Sequence, residues 1–455
     1  MAKTLKWTKR IGLALLTLIL ISAILWTISR ALYPTAEQRK AVAEMQLGEL
    51  PAGKNAFAAL WTLDRAVPPE EMAQVIERDA GQIAELPQFL DPDDAEAAEF
   101  VSEAEQYPDL SPSPEDQQLF CNHERDDCLE KIAADLPGYR ALIKRNRELL
   151  DRIEALAAYD FVRQQLPWNM SFATLPLGHA RLSSTRHALW FAEGRVDDAL
   201  AASCRAIDTW RRLGASGDTL ILRLVANAFA ARNHGKLLAE MLAGLPVDYP
   251  LPSQCEPALA PPPAQELSLC TALRGEFELA RETTGPMLEQ VKDQSLWQTL
   301  NFSLFYDAEA TKAARAQNLA PICAERELER IGADRTEIKP PEARGIWRFA
   351  CFGNFVGCLM GANSAPSYAS YRIRMQDFGA QLKLLATLAW LRENADRADR
   401  LDSLLAERPG ALESPTRKVE IGEDSDSLRI QMFDELDGET WSVPLPGALQ
   451  EQPGP

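Results

Sequence analysis

Residues Ile11-Gly12-Leu13-Ala14-Leu15-Leu16-Thr17-Leu18-Ile19-Leu20-Ile21-Ser22-Ala23-Ile24-Leu25-Trp26-Thr27-Ile28 form a run of eighteen without a charge or a proline, and apolar residues continue in patches to Leu32 and Tyr33. A helix rises about 1.5 Å per residue, so eighteen to twenty-two residues cover about 27 to 33 Å, close to the roughly 30 Å hydrocarbon core of a bilayer. Trp7, Trp26 and Tyr33 stand near the two ends, where amphipathic rings favour the membrane interface. Gly12, Thr17, Ser22 and Thr27 are small enough for helix contacts but make no GxxxG face. The spacing predicts a transmembrane helix over 11–32, and the side of the membrane reached by the remaining chain governs every later reading.

A basic start before an apolar run also describes a cleaved signal peptide. Three features oppose cleavage: the run exceeds the usual length of about 7 to 15 residues, the one tolerable cleavage pattern is Ser29-Arg30-Ala31, and no lipid-accepting cysteine follows. Lys3, Lys6, Lys9 and Arg10 precede the helix with no acid among them, and basic flanks prefer the cytoplasm. Residues 1–10 are therefore expected to be a cytoplasmic tail, with residues 33–455 outside the cytoplasm.

The formal charge of the 455-residue chain is −18, and because the first ten residues contribute four positive charges, the rest carries −22. Such a surface repels phosphate backbones, so nucleic-acid binding is not expected. An apolar fraction of 46% is that of a globular protein, and the length allows two or three compact units.

Outside the cytoplasm the eight cysteines can pair. Ser113-Pro114-Glu115-Asp116 opens a helix before Cys121, and Asp127 with Glu130 resembles a capping box opening the next, so Cys121 and Cys128 are expected to bridge a helix-to-helix turn. Cys255 and Cys270 bracket a Pro-rich segment and form a second expected pair. Cys351 and Cys358 would lie roughly 10 Å apart in a continuous helix, too far to bridge, unless Gly353 and Gly357 break it. Cys204 sits in an apolar helical pattern and reads as a buried free thiol. Cys121, His123, Asp127 and Cys128 also have the chemistry of metal ligands, but no second ligand pair lies near them, and no metal or cofactor is expected.

Beyond the anchor, apolar residues recur at helical spacing almost to residue 408, with helices expected at 35–50, 54–65, 69–86, 114–121, 127–136, 138–166 and 219–242, and helical spacing resuming over 264–285, 290–332, 368–392 and 396–408. The seven prolines between Pro246 and Pro263 interrupt this pattern. Near the end, 419–421, 428–433 and 440–443 alternate like strands and Asp437-Gly438 forms a turn dipeptide. The expected organisation is a mainly α protein: helical region I over 33–245, a Pro-rich connector at 246–264, helical region II over 265–411, and a small β-meander with a tail over 412–455, packed on a helix.

Gly194, Ala199 and Ala206 resemble the turn glycine and small packing positions of one tetratricopeptide helix pair. The likeness covers about one 34-residue unit, lacks the upstream Trp, Leu and second Gly positions, and does not recur one period later; a generic helical hairpin explains the same residues. The order of anchor, helices, Pro-rich break, helices and β tail resembles single-pass membrane-anchored proteins of bacterial envelopes. That resemblance implies an inner-membrane location with the bulk of the chain periplasmic, and it implies no activity.

GxSxG, GxxxxGK[ST], HExxH and GxGxxG patterns are all missing, so the usual hydrolase, nucleotidase, zinc-peptidase and dinucleotide readings lack their signatures. The four histidines limit acid–base chemistry. His179, Ser183 and His187 would share one helix face, most simply a solvated polar stripe. Arg223, Asn227 and His234 interrupt the apolar helix at 219–242, as a wet face or a structural hydrogen-bond network. These six residues are the candidate site. The leading expectation is a non-enzymatic protein that binds or scaffolds a protein partner from the membrane; the alternative is an extracytoplasmic hydrolase using His179 to His187 or the Arg223 stripe.

Overall fold

The computed structural model describes residues 2–86, 100–122, 127–169, 175–284, 296–336, 348–364, 368–397, 400–434 and 438–450. The helices are, in chain order, α1 (Ala2–Leu32), α2 (Ala36–Glu44), α3 (Phe57–Trp61), α4 (Met72–Glu85), α5 (Pro114–Leu119), α6 (Cys128–Ala134), α7 (Leu136–Arg145), α8 (Arg147–Ala155), α9 (Ser183–Ala192), α10 (Val196–Ser216), α11 (Leu220–Asn227), α12 (Lys236–Ala243), α13 (Cys255–Leu259), α14 (Cys270–Thr284), α15 (Leu296–Phe305), α16 (Ala308–Leu319), α17 (Glu325–Gly332), α18 (Phe355–Ser364), α19 (Tyr368–Glu393) and α20 (Leu401–Ala406). Strands β1 (Val419–Ile421), β2 (Ser427–Gln431) and β3 (Thr440–Pro444) follow. The protein is mainly helical, with one apolar helix at the N-terminus and a small sheet at the C-terminus.

The chain divides into two compact units, each assembled from separated segments. The smaller contains Met1–Leu47, Phe277–Cys323 and Glu337–Ala369; the larger contains Gly48–Glu276, Ala324–Thr336 and Ser370–Pro455. Residues 246–264, read from the sequence as a connector, lie inside the larger unit.

In the smaller unit, residues Arg10–Leu32 of α1 are long and apolar enough to cross a membrane. Every side chain from Ile11 to Leu25 is exposed. The last turns of α1 are bonded into the rest of the unit. Trp26 Nε1 donates to the Leu304 carbonyl at 2.7 Å, and Ser29, which is buried, donates to the Phe349 carbonyl and accepts from Gly353 N. Arg30 donates to the carbonyls of Ser303, Tyr306 and Gly353. The first two lie at the end of α15, so a cation meets the partial negative charge of that helix terminus. Thr35 and Gln38 form a reciprocal capping box at the start of α2, and Asn354 joins α18 to the first turn of α16 through Asp307 N and Thr311.

In the larger unit α10 is central, touching α9, α11, α12 and α13. Its Trp210 is buried edge-on against Phe229, with ring centroids 5.0 Å apart. Gly194 closes the α9–α10 hairpin at φ +82°, where a side chain would be strained. Its N–H reaches Phe191 O, and that of Arg195 reaches Trp190 O, the paired bonds of a Schellman turn. Buried arginines supply further donors to carbonyls in and beside the Pro-rich segment. Arg211 donates to the carbonyls of Pro257, Ala258 and Ala260, and Arg392 to those of Leu242, Pro246 and Tyr249.

The sheet is an antiparallel meander in the order β1-β2-β3, pairing Val419 with Ile430 and Leu428 with Val443. Val419, Leu428, Ile430 and Val443 are buried, and β3 packs on α12. Gly438 has φ +85°, while its expected turn partner Asp437 lies outside the described residues. Behind the sheet, Arg417 is almost fully enclosed. It forms a two-pronged pair with Asp334 at 2.6 and 2.8 Å, bonds Asp377 at 2.6 Å, and stacks 3.9 Å from the centroid of Phe433.

Several expectations are corrected. The helix expected over 138–166 is two helices, α7 and α8, followed by a short 3-10 turn and extended chain. The break falls at Asn146, whose side chain turns to Asp116 at 2.8 Å. The helix expected over 219–242 contains a π segment, Ala228–Gly235. Cys204 is not a free thiol: it bridges to Cys255, tying α10 to α13, so Cys255 does not pair with Cys270, which is disulfide-bonded elsewhere. Cys121 is a buried thiol, so the expected bridge from Cys121 to Cys128 is not formed. Cys351 and Cys358 do bridge. The chain turns at Gly353 and Asn354 before α18, bringing their Cα atoms to 5.7 Å. These bridges suggest an oxidising compartment.

Candidate functional site

A convergence of polar groups that includes candidate residues joins α8, α9 and α10. Asp151 and Glu154 lie three residues apart on α8, so both carboxylates face the same neighbour. That neighbour is α9, which presents Arg186 and His187. Arg186 bonds Asp151 at 2.6 Å, Glu154 at 2.9 Å and the Leu150 carbonyl at 3.0 Å. His187 Nε2 lies 2.7 Å from Glu154 Oε1, and His187 Nδ1 lies 3.2 Å from Ser203 Oγ of α10. The π segment adds His234, whose ring centroid is 5.3 Å from that of His187.

Burial opposes ionisation of Glu154, but the hydrogen bond and charge of His187, with those of Arg186, outweigh it and hold the carboxyl at about 2. A carboxyl lowered in the fold contributes stability that is present above its unfolded value near 4.5 and lost as pH falls towards 2. Glu154, Ser183 and His187 line a shallow pocket with Ile153, Arg205 and Thr209, with room for roughly one water molecule.

Ser203, His187 and Glu154 are within hydrogen-bond reach in the order serine, histidine, carboxylate, the relation a nucleophilic serine requires. The accessibility is inverted. Glu154 opens on the pocket, whereas Ser203 is wholly buried and does not line it. In this geometry the three side chains link α8, α9 and α10 by hydrogen bonds.

Of the six candidate residues, Ser183, His187 and His234 come together here. The stripe expected to be solvated is buried from Ser183 through His187. His179 does not share its helix face. It ends a 3-10 turn before α9 and interacts electrostatically with Asp109. Arg223 and Asn227 form a second buried group, which excludes the wet-face reading. They lie against Gly214 of α10, whose hydrogen in place of a side chain lets α11 approach: an added Cβ would stand 2.9 Å from that of Ala226. Arg223 donates to the Glu266 carbonyl, and Asn227 Nδ2 lies 3.0 Å from Met375 Sδ. Burial pulls the Arg223 guanidinium down to about 10 against the opposing charge of Glu266.

Sequence reading missed Glu154, Asp151, Arg186 and Ser203. The spacing of Asp151 and Glu154 was a visible signal, but nothing local assigns them to His187 across 33 residues. His123, which has the chemistry of a metal ligand, lies outside the described residues, and among those described no three His, Cys, Asp or Glu side chains form a metal-binding group. Comparisons with protein-family models, curated proteins and solved structures find no match for this chain.

Proposed function

We propose that this protein is held in the inner membrane of a bacterium by α1, with its N-terminus cytoplasmic, and that its helical domain works on the periplasmic side as a binding or scaffolding surface for another protein. The observation that carries this reading is the bonding of Trp26, Ser29 and Arg30 into the smaller unit. Cleavage after Ala31 would remove groups that the fold uses, which supports a retained anchor. The disulfides support an oxidising compartment, and the sealed Ser203 weighs against the hydrolase reading. The α9–α10 hairpin supports a helical-pair surface of tetratricopeptide type.

Crosslinking in intact cells, followed by mass spectrometry of the purified membrane protein, tests the role. A reproducible protein partner is expected. Recovery of none, together with turnover of broad hydrolase substrates that His187→Ala abolishes, would establish the hydrolase instead.

A further inference from the structure

The smaller unit carries two more apolar surfaces besides α1. In a chain that is 25% charged, residues 294–306 and 349–371 contain no Asp, Glu, Lys or Arg. Each stretch presents large side chains that are exposed. On α15 these are Trp297, Leu300 and Leu304, with Trp297 74% exposed. Around α18 they are Phe355 and Leu359 on the helix and Phe352 on the turn before it, with Phe352 43% exposed. On α15 the i, i+3, i+7 pattern that ordinarily buries a helix face is turned outward. α15 and α18 touch each other, and both are joined to α1: α15 through Trp26 and Arg30, and the turn before α18 through Ser29 and Arg30.

That attachment sets their depth. Trp26 lies six residues before Leu32, so the bonds to α15 fall within about 9 Å of the end of the span. This is the level of the headgroup boundary, where Trp and Phe side chains partition and where a snorkelling arginine keeps its charge wet. Arg30, stacked 4.6 Å from the Trp26 ring, reaches carbonyls at this level.

We propose that α15 and α18 form an interfacial collar whose aromatic and aliphatic stripes are buried in the outer leaflet of the bilayer around the emerging end of α1. The occupant of this surface is lipid. The acidic character of the chain, which would repel an anionic membrane, stops at these two uncharged stretches. The collar fixes the smaller unit on the membrane surface by several side chains, where a single helix alone would leave it free to swivel. This inference rests on α1 spanning the membrane.

The test uses the full-length protein in its native membrane, with p-benzoylphenylalanine placed singly at Leu300, at Phe352 and, as an exposed apolar control in the larger unit, at Ile221. After irradiation, adducts are identified by mass spectrometry. Lipid adducts several-fold more abundant at 300 and 352 than at 221 are expected. Adducts to a second copy of the chain or to another protein at those positions, or no adduct at all, would overturn the collar. Carbonate extraction of the unmodified protein separates the two ideas: release into the supernatant removes the anchor itself, whereas retention without lipid adducts leaves the anchor standing and removes only the collar.

Discussion

The two compact units treat apolar surface in opposite ways. Among the described residues, the larger unit exposes no Phe or Trp side chain, and its exposed large aliphatics are Leu50, Val101, Leu119 and Ile221. It buries charge instead, enclosing Arg211, Arg223, Arg392 and Arg417 with carbonyls or carboxylates to receive them. The smaller unit turns Trp297, Phe305, Phe349, Phe352 and Phe355 outward beside an exposed apolar helix. In water the second arrangement would forfeit about 25 cal/mol for each Å² left uncovered, and the contrast is the one that the proposed contact with lipid would produce.

The comparison breaks most readily at Arg417. Arg417→Ala leaves Asp334 and Asp377 enclosed without their cation and is expected to destabilise the larger unit by about 3 to 5 kcal/mol, read from urea unfolding followed by far-UV circular dichroism. An unchanged midpoint would show that this buried network is idle. The bridge between Cys204 and Cys255 comes next. Its closed loop of 51 residues corresponds to about 4 kcal/mol in the chain-entropy account, so Cys204→Ser with Cys255→Ser should lower the unfolding free energy by a comparable amount.

A smaller effect is expected at Asp218, whose carboxyl burial raises to about 6 against the hydrogen bond from Gln164 N and the charge of Arg163. An acid raised in the fold favours the native state below its unfolded value near 3.8, and that contribution is lost as pH rises through 6. Asp218→Asn should therefore raise stability at pH 8 by up to about 3 kcal/mol and flatten the decline between pH 4 and 6, as measured by denaturation across a pH series. The smallest effect sharpens the contrast from the other side: Trp297→Ala, in the smaller unit, should change unfolding in detergent by less than about 0.5 kcal/mol, because the ring is largely exposed.

Regular features with local causes were legible in the sequence. The long apolar N-terminal helix follows from an unbroken apolar run, the meander from alternation around Gly438, and the α9–α10 turn from a glycine that takes a positive φ. Features made by distant partners were not. The bridge between Cys204 and Cys255 crosses 51 residues, and the burial of Arg223 depends on a carbonyl at Glu266 and packing from Met375. The apolar pattern of 219–242 does not distinguish an α from a π turn, so the register that brings His234 to His187 was hidden. The residues of α15 fall within a stretch of helical spacing and those of α18 outside every expected helix, because periodicity reports that a face is apolar without saying what covers it.

The most direct test of a retained span with the basic end inside is protease added to intact spheroplasts carrying a C-terminal epitope. The account predicts that the epitope is lost before lysis while a cytoplasmic marker survives. An epitope that resists digestion until the membrane is broken would contradict it.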